Sequence, residues 1–292
     1  MYTELHLKSI SKPLKVETTD TSKWYHTFSI PKRSGGTRSI CAPAEWLKEV
    51  QRIIYSDILL PNFAVSKYAY GGIKKKSIKD AADIHAENAV KLKIDISDFF
   101  TNVSTSLVRK ELSKVLPEGD VEAIIYLCTK DGGLPQGGVT SMSLSAIAMS
   151  PMYNALGKIS ARMGLKFSAY VDDLVFSGDE PQKIITLVEK VCKFYGHSVN
   201  KKKTTIMRGK QEVLGLCTTP DKPHARLKGR VRNKIRGMLH SLIKESESGK
   251  KCSNRNLEYI QGMVAFARMA GDQKAPVFKE QLSRLKELNK NL

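Results

Sequence analysis

Apolar positions recur along this chain with two different periods. Phe28–Ile30 and Thr37–Ile40 are short β-prone runs around Ser34-Gly35-Gly36, which reads as a hairpin decorated by Lys32, Arg33 and Arg38. After Pro43, Leu47, Val50, Ile54 and Ile58 fall at helical spacing, with Lys48 and Arg52 on another face. Val90, Leu92, Ile94 and Ile96 then alternate with Lys91, Lys93 and Asp95, a strand that sets Asp95 opposite the aliphatic side chains. Ser104 is placed to cap a helix bearing Leu107, Val108, Leu112 and Val115. Residues 167–178, FSAYVDDLVFSG, are two β-rich arms around Asp172-Asp173. Pro181 opens an amphipathic helix with Ile184, Leu187, Val188 and Val191 inward and Gly196 at its end. A short strand, Glu212–Cys217, precedes a helical C-terminal part. This order predicts an α+β sheet domain with helices on one face, a small N-terminal subdomain and a helical C-terminal one.

Charge changes the picture more than composition does. Among 292 residues, 48 Lys and Arg face 29 Asp and Glu, a net charge of +19. Residues 201–292 hold 22 basic and 8 acidic side chains, so most of the excess lies in the last third. A concentrated excess is a binding surface for a polyanion, nucleic acid ahead of an anionic membrane. The uncharged stretch Gly132–Gly157 is long enough to span a bilayer but is broken by glycines and two prolines, and reads as a loop feeding a buried helix. The first residues, MYTELHLKSISK, hold no apolar run of signal-peptide length, so a cytoplasmic location and no membrane partner are expected. Five scattered cysteines, Cys41, Cys128, Cys192, Cys217 and Cys252, have neither zinc nor redox-pair spacing and read as reduced thiols.

Three carboxylates stand out by position. Asp95 lies near a strand end, and Asp172 and Asp173 at a hairpin tip whose arms are apolar. Pairing that hairpin with the 90–96 strand would gather all three, and such a cluster calls for hard divalent cations such as Mg²⁺. Two metals are the arrangement that serves phosphoryl transfer. Turn chemistry alone is the competing reading of Asp172-Asp173.

With these residues in place, the chain resembles the reverse transcriptases. Tyr170-Val171-Asp172-Asp173 resembles motif C, LKIDISDFF at 92–100 motif A, and Leu134-Pro135-Gln136-Gly137-Gly138 motif B. TRSICAPAEWLKEVQR at 37–52 resembles the finger motifs, Asn200 with Lys203-Thr204 motif D, and Val213-Leu214-Gly215-Leu216 the primer grip. The compact length resembles the bacterial retron enzymes. Ala81-Ala82-Asp83-Ile84-His85 keeps the Ala and His of their Asn-Ala-x-x-His, and Val213-Leu214-Gly215 stands where they carry Val-Thr-Gly. Both departures bear on which structured RNA is recognised.

The resemblance implies a right-hand polymerase fold: fingers over 1–90, palm over 91–220 with finger-associated helices around 104–130, and a basic helical thumb over 221–292. It implies that Asp95, Asp172 and Asp173 hold two Mg²⁺ ions with the backbone carbonyl of Ile96. Lys32 and Arg38 would grip the triphosphate of a dNTP, Gln136 would contact the nascent pair, and Phe100 would exclude a ribose hydroxyl while Phe99 packs inward. Lys203 would protonate or shield pyrophosphate, or contact a phosphate. Gly137, Leu214 and Gly215 would approach nucleic acid by backbone, and Arg232 and Arg236 would track its phosphates. The implied activity is RNA-directed DNA synthesis on a structured noncoding RNA, in an antiphage retron with a separate effector protein. Another bacterial defence reverse transcriptase with different template use, or a noncatalytic RNA-binding scaffold, are the alternatives.

Overall fold

The computed structural model describes residues 3–32, 35–220 and 222–290; Arg33 and Ser34 of the expected hairpin turn lie outside the described residues. Strand β1 (Thr3–Leu5) pairs antiparallel with β2 (Leu14–Val16). Strands β3 (Tyr25–Pro31) and β4 (Thr37–Pro43) form the expected hairpin, longer than its β-prone runs, with Phe28 opposite Ile40 and Ile30 opposite Arg38. Helix α1 (Glu45–Ile53) continues through a π-helical stretch, Ile54–Leu59, into the single turn α2 (Leu60–Asn62). Then come α3 (Ile78–Asp83), β5 (Val90–Asp95), α4 (Phe99–Asn102), α5 (Thr105–Leu112), α6 (Glu118–Cys128) and the long α7 (Ser141–Arg162). Strands β6 (Lys166–Tyr170) and β7 (Asp173–Gly178) are the arms of the acidic hairpin, followed by α8 (Ile185–Phe194) and β8 (Thr205–Arg208). Strands β9 (Gln211–Val213) and β10 (Leu216–Thr218) precede three helices, α9 (Gly229–Glu247), α10 (Asn254–Met269) and α11 (Ala275–Lys290). Among the described residues, no helix is long and apolar enough to cross a membrane.

The chain divides into two compact units: Met1–Lys76, Leu92–Phe176 and Glu180–Ile206 in the first, Ser77–Lys91, Ser177–Asp179 and Met207–Leu292 in the second. A four-stranded sheet has the order β6-β7-β5-β8, so the acidic hairpin lies beside the 90–95 strand as strand pairing required. Leu92 and Ile94 of β5 and Leu174, Val175 and Phe176 of β7 are all buried. Three successive buried residues on β7 mean that both of its faces are covered. The uncharged stretch becomes α7, which buries Leu144, Ile147, Met149, Met152, Tyr153 and Leu156. Ser104 caps α5 as expected, its hydroxyl accepting the Leu107 N–H at 3.2 Å.

A buried amide organises much of the first unit. Gln51 on α1 is wholly buried; its Nε2 donates to Leu127 O at 2.9 Å and to Tyr25 Oη at 3.1 Å. Its Oε1 accepts the Val139 N–H at 2.9 Å. One side chain therefore fastens the start of β3, the end of α6 and the loop entering α7. Trp24 packs edge-on against Trp46 and Tyr126, with ring centroids 5.5 and 4.7 Å apart. Glycine 157 lets α7 approach Tyr68 so closely that an added Cβ would fall 2.0 Å from its ring.

Several expectations are corrected here. Glu212–Cys217 is not one strand but the hairpin β9–β10, whose turn, Leu214-Gly215, has φ of 49° and 87°. Positive φ at both turn positions suits the twist of a two-residue hairpin, and a leucine there is strained. Alternation set Lys91 on a polar face, yet Lys91 is buried, its ammonium donating to Asn88 O while desolvation lowers its pKa. Leu187, expected inward, is exposed, and Val115, expected on the helix that Ser104 caps, lies exposed beyond its last residue, Leu112.

Within the second unit, His85 Nδ1 lies 2.7 Å from Ser177 Oγ, which also accepts from Asn88 Nδ2 at 2.9 Å. The Asp83 carboxylate accepts the Ala225 N–H at 2.7 Å and pairs with Lys79. Helix α9 buries Ile235, Leu239, Leu242 and Ile243 and leaves Arg236 exposed. Arg232 instead donates through Nε and Nη2 to Asp272 Oδ2, at 2.8 and 2.6 Å, and that carboxylate is fully buried.

Two measurements of unfolding check these contacts. Gly157→Ala is expected to destabilise the protein by about 1–3 kcal/mol, although alanine is the better helix former, because the Tyr68 ring must shift. Arg232→Ala is expected to cost about 2 kcal/mol by stranding the Asp272 carboxylate, and Arg236→Ala less than about 0.5 kcal/mol.

Candidate active site

Strand pairing builds the acidic site. Asp95 ends β5 and is buried, Asp173 begins β7, and the Ile96 N–H donates to Asp172 O at 2.9 Å. The structure thus brings Asp95, Asp172 and Asp173 to neighbouring strand ends. The turn between β6 and β7 is tight enough to place Val171 at φ 61°. A β-branched residue at positive φ is strained, and its neighbours hold it there. Tyr153 Oη, buried on α7, donates to Val171 O at 2.8 Å. Gly71 also passes close to this turn: an added Cβ there would meet Val171 Cγ2 at 2.5 Å.

The carboxylates are unequal in environment. Burial raises the Asp172 pKa, and the charges of Asp173 and Asp95 raise it further. Burial also raises that of Asp173, against the opposing bond from Lys93. Lys93 Nζ lies 2.8 Å from Asp173 Oδ1, and Lys203 Nζ lies 3.1 and 3.0 Å from the two oxygens of Asp95. Sequence reasoning named Lys203 but passed over Lys93. Its signal was parity, since Lys93 sits two residues before Asp95 on the same side of β5.

These three carboxylates fit a hard divalent cation in donor type, and their mutual repulsion in a buried setting is what such an ion relieves. The expected gathering is only partial. Among the described residues, no group of three or more His, Cys, Asp or Glu side chains is arranged to hold a metal ion. The lysines supply the countercharge instead. The Lys203 side chain is 58% exposed against 8% for Asp95, so the ammonium is held loosely by a carboxylate that is fixed.

Other candidates line the same unit. After Asp98, at φ 43°, α4 places Phe99 in the core and leaves Phe100 half-buried, the two rings edge-to-face at 5.4 Å. The Leu134 N–H donates to Phe100 O at 3.0 Å, tying this turn to the loop that carries Gln136. Gln136 O accepts the Cys41 N–H at 2.9 Å, and Gly137, at φ 127°, lies so near β4 that a Cβ would meet Cys41 O at 2.9 Å. Arg38 and Lys32 are exposed on the β3–β4 hairpin, three residues and one turn from that junction. Leu214, Gly215, Arg232 and Arg236 belong to the second unit, with the geometry described above.

Tyr153→Phe removes the hydroxyl that holds the Val171 carbonyl. The expected loss is about 1 kcal/mol in denaturant unfolding.

Comparison with known proteins bears on the family and the fold. The family model of the reverse transcriptases (RNA-dependent DNA polymerases) matches residues 30–219. The Retron Mx65 reverse transcriptase of Myxococcus xanthus is 29% identical over 281 residues, covering 86% of this chain and 62% of that protein. The Retron Mx162 reverse transcriptase of the same organism is 28% identical over 303 residues, covering 91% and 62%. This chain therefore spans 62% of the length of each of these two relatives. Among solved structures, telomerase from Candida albicans in complex with a TWJ fragment of telomeric RNA superposes with a TM-score of 0.55 at 13% identity, covering 98% of this chain and 64% of that one. That likeness is one of fold, the α+β polymerase fold. With 190 contiguous residues matched to its model, this chain belongs to the reverse transcriptase family.

Proposed function

We propose that the chain is an RNA-directed DNA polymerase of the retron type, copying part of a structured noncoding RNA into single-stranded DNA. The observation that carries this reading is the pairing that sets Asp95 beside Asp172 and Asp173. Retron reverse transcriptases among the relatives support the narrower assignment. The fingers, palm and thumb would be residues 1–90, 91–220 and 221–292.

Asp95, Asp172, Asp173 and the Ile96 carbonyl would hold two Mg²⁺ ions, which supply activation of the primer hydroxyl and charge neutralisation at the triphosphate. The remaining work falls to this chain's own groups. Lys203, displaced from Asp95, holds a proton where pyrophosphate departs. The Arg38 guanidinium takes two phosphate oxygens at once and Lys32 adds a point charge. Phe100 stands beneath the sugar and excludes a 2′-hydroxyl by contact. Gln136 contacts the nascent pair, and Gly137 allows the backbone to come close. The Leu214-Gly215 turn would grip the primer. The exposed basic face of α9, Arg236 included, would follow a phosphate backbone, while Arg232 serves mainly to hold Asp272. A noncoding RNA, its DNA product and dNTPs are the partners, with a separate effector protein in an antiphage system. Those substrates assign the work to the cytoplasm.

The test is primer extension by Asp172→Asn beside wild type. Loss of a metal-holding carboxylate is expected to reduce extension about a thousandfold or more, with RNA binding retained. Extension at the wild-type rate would remove the metal assignment. DNA covalently joined to RNA, recovered from its native host with wild type only, is the expected retron signature; DNA without an RNA junction would retain the polymerase and exclude the retron.

A further inference from the structure

Next to the phenylalanines of the proposed sugar contact lies a side chain that the mechanism does not use. His197 follows α8 and is buried, yet neither of its ring nitrogens has a hydrogen-bond partner among the described residues. Burial also lowers its pKa, so the ring is neutral near pH 7. A buried imidazole with both nitrogens orphaned costs stability compared with an apolar side chain of similar size. Its neighbour is aromatic: the ring lies nearly parallel to that of Phe99, with 25° between planes and 6.2 Å between centroids. Phe99 in turn meets Phe100 edge-on at 5.4 Å and 78°.

The backbone fixes this stack from both sides. The His197 N–H donates to Cys192 O at 2.9 Å, anchoring it to the end of α8. The Ser97 N–H donates to Ser198 O at 2.9 Å, and the Asn200 N–H to Asp95 O at 2.8 Å. The segment carrying His197 therefore runs beside the segment that leads from Asp95 to the two phenylalanines. The Phe99 ring therefore neighbours both the imidazole of His197 and the ring of Phe100.

We infer that His197 is a positioning residue for sugar selection, setting the tilt of Phe100 through the ring of Phe99. The inference rests on Phe100 being the residue that excludes the ribose hydroxyl. A flat ring at 197 restrains Phe99 in one plane; a branched aliphatic side chain fills similar space without that restraint. Sugar discrimination then depends on the shape of residue 197, not on its nitrogens.

Single-nucleotide incorporation with Mg²⁺, a primer–template and matched dNTP or rNTP gives the ratio of kcat/KM values for the two sugars. It is measured for wild type, His197→Leu, His197→Phe and Phe100→Val, each with a melting curve. His197→Leu is expected to lower the ratio about tenfold, an aromatic contact's worth. His197→Phe is expected to keep the ratio, and both variants to melt no lower than wild type, since each removes orphaned buried nitrogens. An unchanged ratio in His197→Leu, where Phe100→Val lowers it, overturns the role of His197 alone. Equal losses in His197→Leu and His197→Phe, or a melting temperature lowered in both, overturn it as well. An unchanged ratio in Phe100→Val overturns the sugar-contact assignment itself, and the inference with it.

Discussion

One backbone hydrogen bond, from the Ile96 N–H to the Asp172 carbonyl, fixes the relation on which the acidic site depends. It sets the end of β5 against the tip of the β6–β7 hairpin, and so decides that carboxylates 77 residues apart in sequence meet at the ends of the two inner strands. The hairpin meets that constraint by turning within two residues, which drives Val171 to a backbone angle that a β-branched residue resists. The strain is met by Tyr153 and by the close passage of Gly71. The turn is thus held by one hydrogen bond and one close backbone approach, while Lys93 and Lys203 offset the charge of the carboxylates beside it.

How much of this was legible follows from which interactions are local. Strand period, the Ser104 cap and the turn residues report on neighbours in sequence, and these placed Asp95, the acidic hairpin and α5 correctly. Side-chain partners distant in sequence left no periodic trace. Lys93 shares parity with Asp95, but nothing in the pattern says that its ammonium reaches Asp173. Gln51 sat in a helix as one polar residue among several, although its three bonds reach residues 25, 127 and 139. Lys91 inverted the alternation, because a long side chain can bury its stem and still find a carbonyl for its head. The split of 212–217 into a hairpin was missed because Leu214 is not a residue that announces a turn.

Charge shows the same limit. A count of basic residues treats Arg232 and Arg236 alike, both on α9 and four residues apart. In the fold, one neutralises a buried carboxylate and the other stands in solvent. Net charge thus overstates the surface available to a polyanion by every cation that has an internal duty. The excess in the last third is large enough to remain after that correction, which is why the inference to nucleic acid survives the loss of a particular residue.

The lysines at the carboxylates can be weighed in the same way. A buried acid needs a counterion in every state of the protein, and a permanent, rigid partner would close the site to any other cation. Lys203 meets the need differently: its side chain is more than half exposed while its ammonium engages Asp95, so replacement by another cation frees a flexible chain into water. Asp95, by contrast, is held by strand β5 and by the Asn200 N–H on its carbonyl. The fixed member of the pair is the acid and the movable member is the base. That asymmetry lets one position balance charge at rest and give way to metal and triphosphate when they arrive.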